Sequence, residues 1–232
     1  DEAYYYLAMI AKRQNKLTEA ENYFVLITDG DRFVSAQIEL ATLRIKSNRM
    51  SEARQQLAEA RQQHPELANT LYAVEVEFLS DNQQQEAAYI LLLEAIQKFP
   101  NDNLLLFSRA LMSDKRQELA QFELDMRELL RRDPNNPSYM NAFGYTLVDK
   151  TDRLAEAEPY LRRAFKLKPN DPAIIDSIGW LLYKQGRLFE ALTYIKQAFV
   201  AANHDEHAQQ GKHRQREHFA AAQHVAVCSV GA

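Results

Sequence analysis

Four prolines, Pro65, Pro100, Pro134 and Pro169, are separated by 35, 34 and 35 residues. Each follows an apolar stretch with helical periodicity. Proline has no N–H to donate and its ring clashes with the preceding turn, so a helix must stop at or just before it. A chain punctuated by helix stops at a constant interval builds a stack of like units, whereas an ordinary helical bundle has no reason to repeat its prolines. Six Gly and seven Pro in 232 residues favour long helices joined by tight turns.

A second series keeps the same register. Small residues stand five and twelve positions before three of these prolines: Ala60 and Ala53, Ala95 and Ala88, Ala164 and Ala157. A further small or compact residue recurs in the other helix of each unit, as Ala8, Ala41, Val76, Ala110, Gly144 and Gly179. Such positions let two helix backbones approach closely. Opposite them run Phe24, Leu57, Leu92, Met126, Leu161 and Ile195, an apolar stripe that packs each hairpin and its neighbour.

This spacing is similar to that of the tetratricopeptide repeat (TPR) family, whose period is about 34 residues. The match is fullest at Phe143-Gly144, Ala157, Leu161, Ala164 and Pro169, and then at Ile178-Gly179, Ala191, Ile195 and Ala198. The resemblance implies an all-α fold, a right-handed superhelical solenoid of antiparallel helix pairs. We read a solenoid over residues 1–203, in about six repeats at 1–33, 34–68, 69–102, 103–136, 137–171 and 172–203. The runs Asn141 to Leu147 and Asp176 to Trp180 resemble a subgroup of bacterial cell-envelope repeat proteins, many of them lipid-anchored adaptors. That likeness implies a periplasmic or outer-membrane-associated setting, with the cytoplasm as the alternative. The chain opens at Asp1, without Met or a leader, and reads as a trimmed fragment whose upstream part holds a targeting signal or more repeats.

The pattern breaks in the middle. Glu75 and Arg109 occupy the apolar site filled elsewhere by Leu7, Leu40, Phe143 and Ile178; either they pair across the repeat interface, since an unpaired charge there is costly, or the helices roll and both side chains reach water. Phe122 replaces the usual alanine, so its helices splay or its ring turns outward. Pro159, inside a second helix, predicts a kink or a late start. After Ala202 the chain becomes polar and His-rich, and residues 204–232 read as a capping helix or a disordered tail.

The formal charge of −4 supplies no global attraction for a polyanion, so nucleic acid is not expected as a partner. No apolar run reaches the length of a membrane span. The single cysteine, Cys228, has no intrachain partner. Five of the six histidines lie in the tail, with His204 and His207 three apart, but two imidazoles without a third ligand do not define a metal site. Phosphate loops, metalloprotease helices and serine elbows are absent from the sequence. Glu19, Glu52, Glu86 and Glu190 fall at helix starts, where the helix dipole favours them. The expectation is therefore no enzyme, no cofactor and no metal, but a protein or peptide partner.

In the family the first helix of each repeat lines a concave groove. By position this projects Tyr5, Met9, Ile38, Thr42, Ala73, Glu77, Phe107, Leu111, Asn141, Tyr145, Asp176, Trp180 and Tyr183 toward a partner. Trp and Tyr are enriched in binding hot spots, which favours the C-terminal end as the anchor. Chaperone-binding members clamp a C-terminal carboxylate with Lys, Asn and Arg. That set is missing, because Tyr5, Met9, Ile38 and Thr42 stand in its place, so an extended or helical apolar segment is expected. The alternative is a structural assembly protein working through convex or end surfaces, including self-association through a terminal repeat.

Overall fold

The computed structural model describes residues 1–204. Among the described residues there are twelve α-helices and no strand. They come as hairpins: α1 (Glu2–Arg13) with α2 (Leu17–Val25), α3 (Phe33–Lys46) with α4 (Met50–Gln63), and α5 (Ala68–Asp81) with α6 (Gln85–Lys98). Then follow α7 (Asn103–Lys115) and α8 (Leu119–Arg132), α9 (Pro137–Lys150) and α10 (Leu154–Leu167), α11 (Pro172–Lys184) and α12 (Leu188–His204). The chain divides into two compact units, Asp1–Met112 and the part from Ser113 onward. In the first, α2 packs on α3 and α4 on α5; in the second, α8 packs on α9 and α10 on α11. Most of the His-rich tail lies outside the described residues.

The periodic prolines act as stops. His64, Phe99, Asp133 and Lys168 each precede one, and their φ values run from −126° to −135° with ψ from 65° to 82°. That is the extended conformation forced on a residue before proline. Within the hairpins a left-handed residue makes the turn at Asn15, Asn48, Gln83, Gln117 and Gly186. The fifth hairpin turns differently, with the Thr151 hydroxyl donating to the Leu147 carbonyl at 2.5 Å and accepting from the Arg153 amide at 3.1 Å.

Every small position and every opposing apolar residue of the two repeat series is buried. The close approach is tightest at the glycines. A Cβ at Gly144 would lie 2.7 Å from Leu161 Cγ, and one at Gly179 would lie 2.5 Å from Ile195 Cγ1. Each buried Leu or Phe of the stripe contributes about 1.5–3 kcal/mol. Phe122 is fully buried, with its ring centroid 6.2 Å from that of Phe143. The outward-turned ring is thus not found, because the apolar residues of α9 offer it a partner. Helix α10 begins at Leu154, five residues before Pro159, and runs on to Leu167, so the late start is not found either.

Glu75 pairs across a repeat interface, but not with Arg109. Its carboxylate accepts from Arg54 Nε at 2.8 Å and Arg61 Nη1 at 2.6 Å, both on α4. The first helix of a repeat turns this face back to the preceding second helix, and that is where the cations stand. Arg109 makes its contacts elsewhere.

Equivalent second-helix positions clamp the next hairpin. Glu21 on α2 accepts from Arg44 at 3.0 Å and Arg49 at 2.5 Å, and Glu123 on α8 accepts from Arg153 at 2.5 Å. Arg49 and Arg153 both precede the second helix of the following hairpin. The hydrogen bond from Arg49 holds the Glu21 carboxyl below the usual carboxylate range against the cost of burial, and that from Arg153 does the same for Glu123.

Candidate binding surface

In the second unit, α9 and α11 start from the same device. The Asn136 side chain accepts from the amides of Ser138 and Tyr139, and the Asp171 side chain from those of Ala173 and Ile174. Pro137 and Pro172 follow each cap, where the missing N–H costs nothing. The caps fix where each helix begins and hence which side chains share a face.

With that register, Asn141, Tyr145 and Asp149 follow one another at four-residue steps on one face of α9, and Asp176, Trp180 and Tyr183 follow on α11. Trp180 donates from Nε1 to Asp149 Oδ1 at 3.2 Å, joining the two first helices. Its ring stacks on Tyr183 with centroids 5.0 Å apart and planes 9° from parallel. Lys184 Nζ lies 5.9 Å from the Trp180 ring centroid, within cation–π range. Both rings are half-buried. Asn141 is half-buried too, and its Oδ1 is shielded without a hydrogen-bond partner among the described residues.

Asp176 departs from the projection. It is fully buried, so it belongs to the interior of the second unit and presents nothing to a partner. Asp149 and Lys184 were missed from sequence. Asp149 lies two four-residue steps beyond Asn141, and a longer walk along that face would have reached it.

In the first unit the projected residues are spread along four first helices. Tyr5 is half-buried, edge-on to Phe24 at 6.0 Å, with the Arg32 guanidinium 5.2 Å from its ring. Met9 packs on the core formed by α1, α2 and α3. The Thr42 hydroxyl donates to the Ile38 carbonyl of its own helix at 2.8 Å, which leaves only its acceptor capacity for a partner. Ala73 and Phe107 are half-buried, and Glu77 and Leu111 are exposed. Lys12 donates to Glu39, tying α1 to α3. Among the described residues no group of three or more His, Cys, Asp or Glu is placed to hold a metal ion. No helix among them is long and apolar enough to cross a membrane.

Stacked antiparallel helix pairs of this period, with small residues at the hairpin crossings, define a tetratricopeptide repeat protein. Comparisons agree. A family model described as tetratricopeptide repeat matches residues 137–171. The TPR repeat-containing protein PA4667 of Pseudomonas aeruginosa is 40% identical over 198 residues, which is 85% of this chain and 34% of that protein. The chain therefore spans about a third of the length of that relative. A tetratricopeptide repeat protein from Parabacteroides merdae has the same fold, with a TM-score of 0.62 at 15% identity over 96% of this chain and 91% of the other. YrrB, a TPR protein with an unusual peptide-binding site, aligns with a TM-score of 0.51 at 16% identity over 76% of this chain and 90% of its own.

Proposed function

We propose that this chain is a non-catalytic adaptor that holds an apolar segment of a partner protein against its first helices, anchored at Trp180 and Tyr183. The observation that carries the proposal is the stacked, half-buried aromatic pair on α11. It offers a large flat apolar area with little rotamer freedom left to lose on binding, which is the chemistry of a hot spot. We infer a bacterial envelope setting: the Pseudomonas relative supports the bacterial part, and the resemblance of the Asn141–Leu147 and Asp176–Trp180 runs supports the envelope part.

Trp180 is the only tryptophan in the chain, so its fluorescence reports the site directly. A displayed random-peptide library is selected on the protein, and the recovered peptide is then titrated against that signal, with isothermal calorimetry measuring the parent and the tryptophan-free variants on one scale. Tyr183→Ala and Trp180→Phe are expected to weaken binding about tenfold or more, equivalent to about 1.4 kcal/mol, with the melting temperature unchanged. Full-strength binding of the selected peptide to a Trp180→Ala, Tyr183→Ala double variant would refute the proposal.

A further inference from the structure

We propose that the outer face of α1 is the seat of the second helix of a preceding hairpin of the same repeat type, supplied by a longer polypeptide. Tyr4, Leu7 and Ile10 share that face and are 40%, 42% and 52% exposed. Measured from the small residue of each first helix, Leu7 corresponds to Leu40, Glu75, Phe143 and Ile178, all at most 3% exposed, and to the half-buried Arg109. Ile10 corresponds to Leu43, Met112, Thr146 and Leu181, all at most 6% exposed, and to the half-buried Phe78. The face that is open on α1 is therefore closed or half-closed in the hairpins that follow it.

At α3, α5, α9 and α11 the element that stands against the first helix from this side is the preceding second helix. Leu40 and Leu43 of α3 share a core with Phe24 and Ile27, contributed by α2 and the residues just beyond it. Glu75 of α5 is held by Arg54 and Arg61 of α4, Phe143 of α9 meets Phe122 of α8, and Ile174 of α11 packs with Tyr160 and Phe165 of α10. The α1 face continues this repeating interface. It also selects its occupant. Tyr4, Leu7 and Ile10 carry no charge, so the incoming helix presents an apolar side chain to them, as α2 presents Phe24 to α3, and not a pair of arginines, as α4 presents to Glu75. A second copy seated by α1 against α1 would set this face of one first helix against the same face of another, whereas in the repeat this face meets a second helix. The Pseudomonas relative, of which the chain spans 34%, has length enough for further hairpins.

The test joins a copy of residues 137–171 directly before Asp1 of the full chain. Asp171 then stands eight residues ahead of Ala8, the same interval that separates it from Gly179. Amide exchange in α1 is expected to slow about tenfold or more, as local opening becomes linked to a larger cooperative unit, and the melting temperature is expected to rise. Leu7→Glu with Ile10→Glu should abolish both gains in the extended chain and leave the melting temperature of the original chain unchanged. The proposal is overturned if α1 exchanges equally fast with and without the added hairpin, or if the two glutamates destabilise the original chain as much as the extended one. It is also overturned if the original chain sediments as a dimer that those glutamates dissociate, for the occupant is then a second copy.

Discussion

Replacing Glu75 by leucine restores the residue type that Leu40 places at the corresponding site of α3, yet the structure predicts a loss of stability. Glu75 is 2% exposed, between Arg61 at 11% and Arg54 at 44%. Burying the leucine contributes about 2 kcal/mol. Arg54 swings into water at little cost, as a largely exposed partner does. Arg61 cannot, because its guanidinium lies 4.2 Å from the Tyr72 ring centroid on a buried path. Stranding one member of a buried pair costs about 3–5 kcal/mol, so Glu75→Leu is expected to destabilise by about 1–3 kcal/mol. Adding Arg61→Met removes the stranded charge, and the double variant is expected to match or exceed the parent. Urea denaturation followed by far-UV circular dichroism reads the difference as a shift in midpoint at constant slope. Equal stability of Glu75→Leu and the parent would sink the reasoning. So would a coupling of Glu75 to Arg109 as large as its coupling to Arg61 in a double-mutant cycle.

Four further outcomes are expected. Gly144→Ala places its Cβ 2.7 Å from Leu161 Cγ, an overpacking cost of about 1–3 kcal/mol that outweighs the gain in helix propensity of about 1 kcal/mol; thermal melts should show a net loss, with favourable coupling to Leu161→Ala. Gln83→Gly relieves a left-handed residue at φ 62° and should stabilise by up to about 1 kcal/mol in the same assay. The His64 ring bonds Glu66 at 3.0 Å and the Thr28 carbonyl at 2.8 Å, and the Glu66 carboxylate is the first cause of its raised pKa. Its contribution is therefore complete below the unfolded histidine value and lost as pH rises through the folded one, so parent and His64→Gln should differ more in melting temperature at pH 5.5 than at pH 8. Glu128, hydrogen-bonded by Arg131 and Arg132, is lowered to about 2; the advantage of the parent over Glu128→Gln should hold above the unfolded carboxylate value and fade as pH drops from there toward 2.

The fold was legible in the sequence because its determinants are local and periodic. A proline ends a helix wherever it stands, and a glycine or alanine marks a crossing because no larger side chain fits there. Both signals survive without knowledge of any rotamer. The site was legible only in part. Equivalence by position puts Asp176 beside Asn141, yet one is sealed in the interior and the other is half-buried with a shielded acceptor. Period alone does not say how far neighbouring side chains close over a position. The same limit explains Glu75: its place on a backward-facing side of the helix was readable, but which cation reaches it depends on the lengths and rotamers of Arg54 and Arg61.

These two kinds of information bear on two different surfaces of each first helix. One faces the preceding hairpin, and there the repeat demands closure, so an exposed residue such as Leu7 stands out against its buried equivalents. The other lines the candidate groove, where nothing in the repeat constrains the residue type and Ala73, Phe107, Asn141 and Trp180 differ freely at or near equivalent places. Deviation from the repeat is therefore informative in opposite senses: on the closed face it marks a missing neighbour, and on the open face it encodes the choice of partner. The Trp180–Tyr183 stack and the bare face of α1 fall on opposite sides of that division, so substitutions at one should leave the behaviour of the other unchanged.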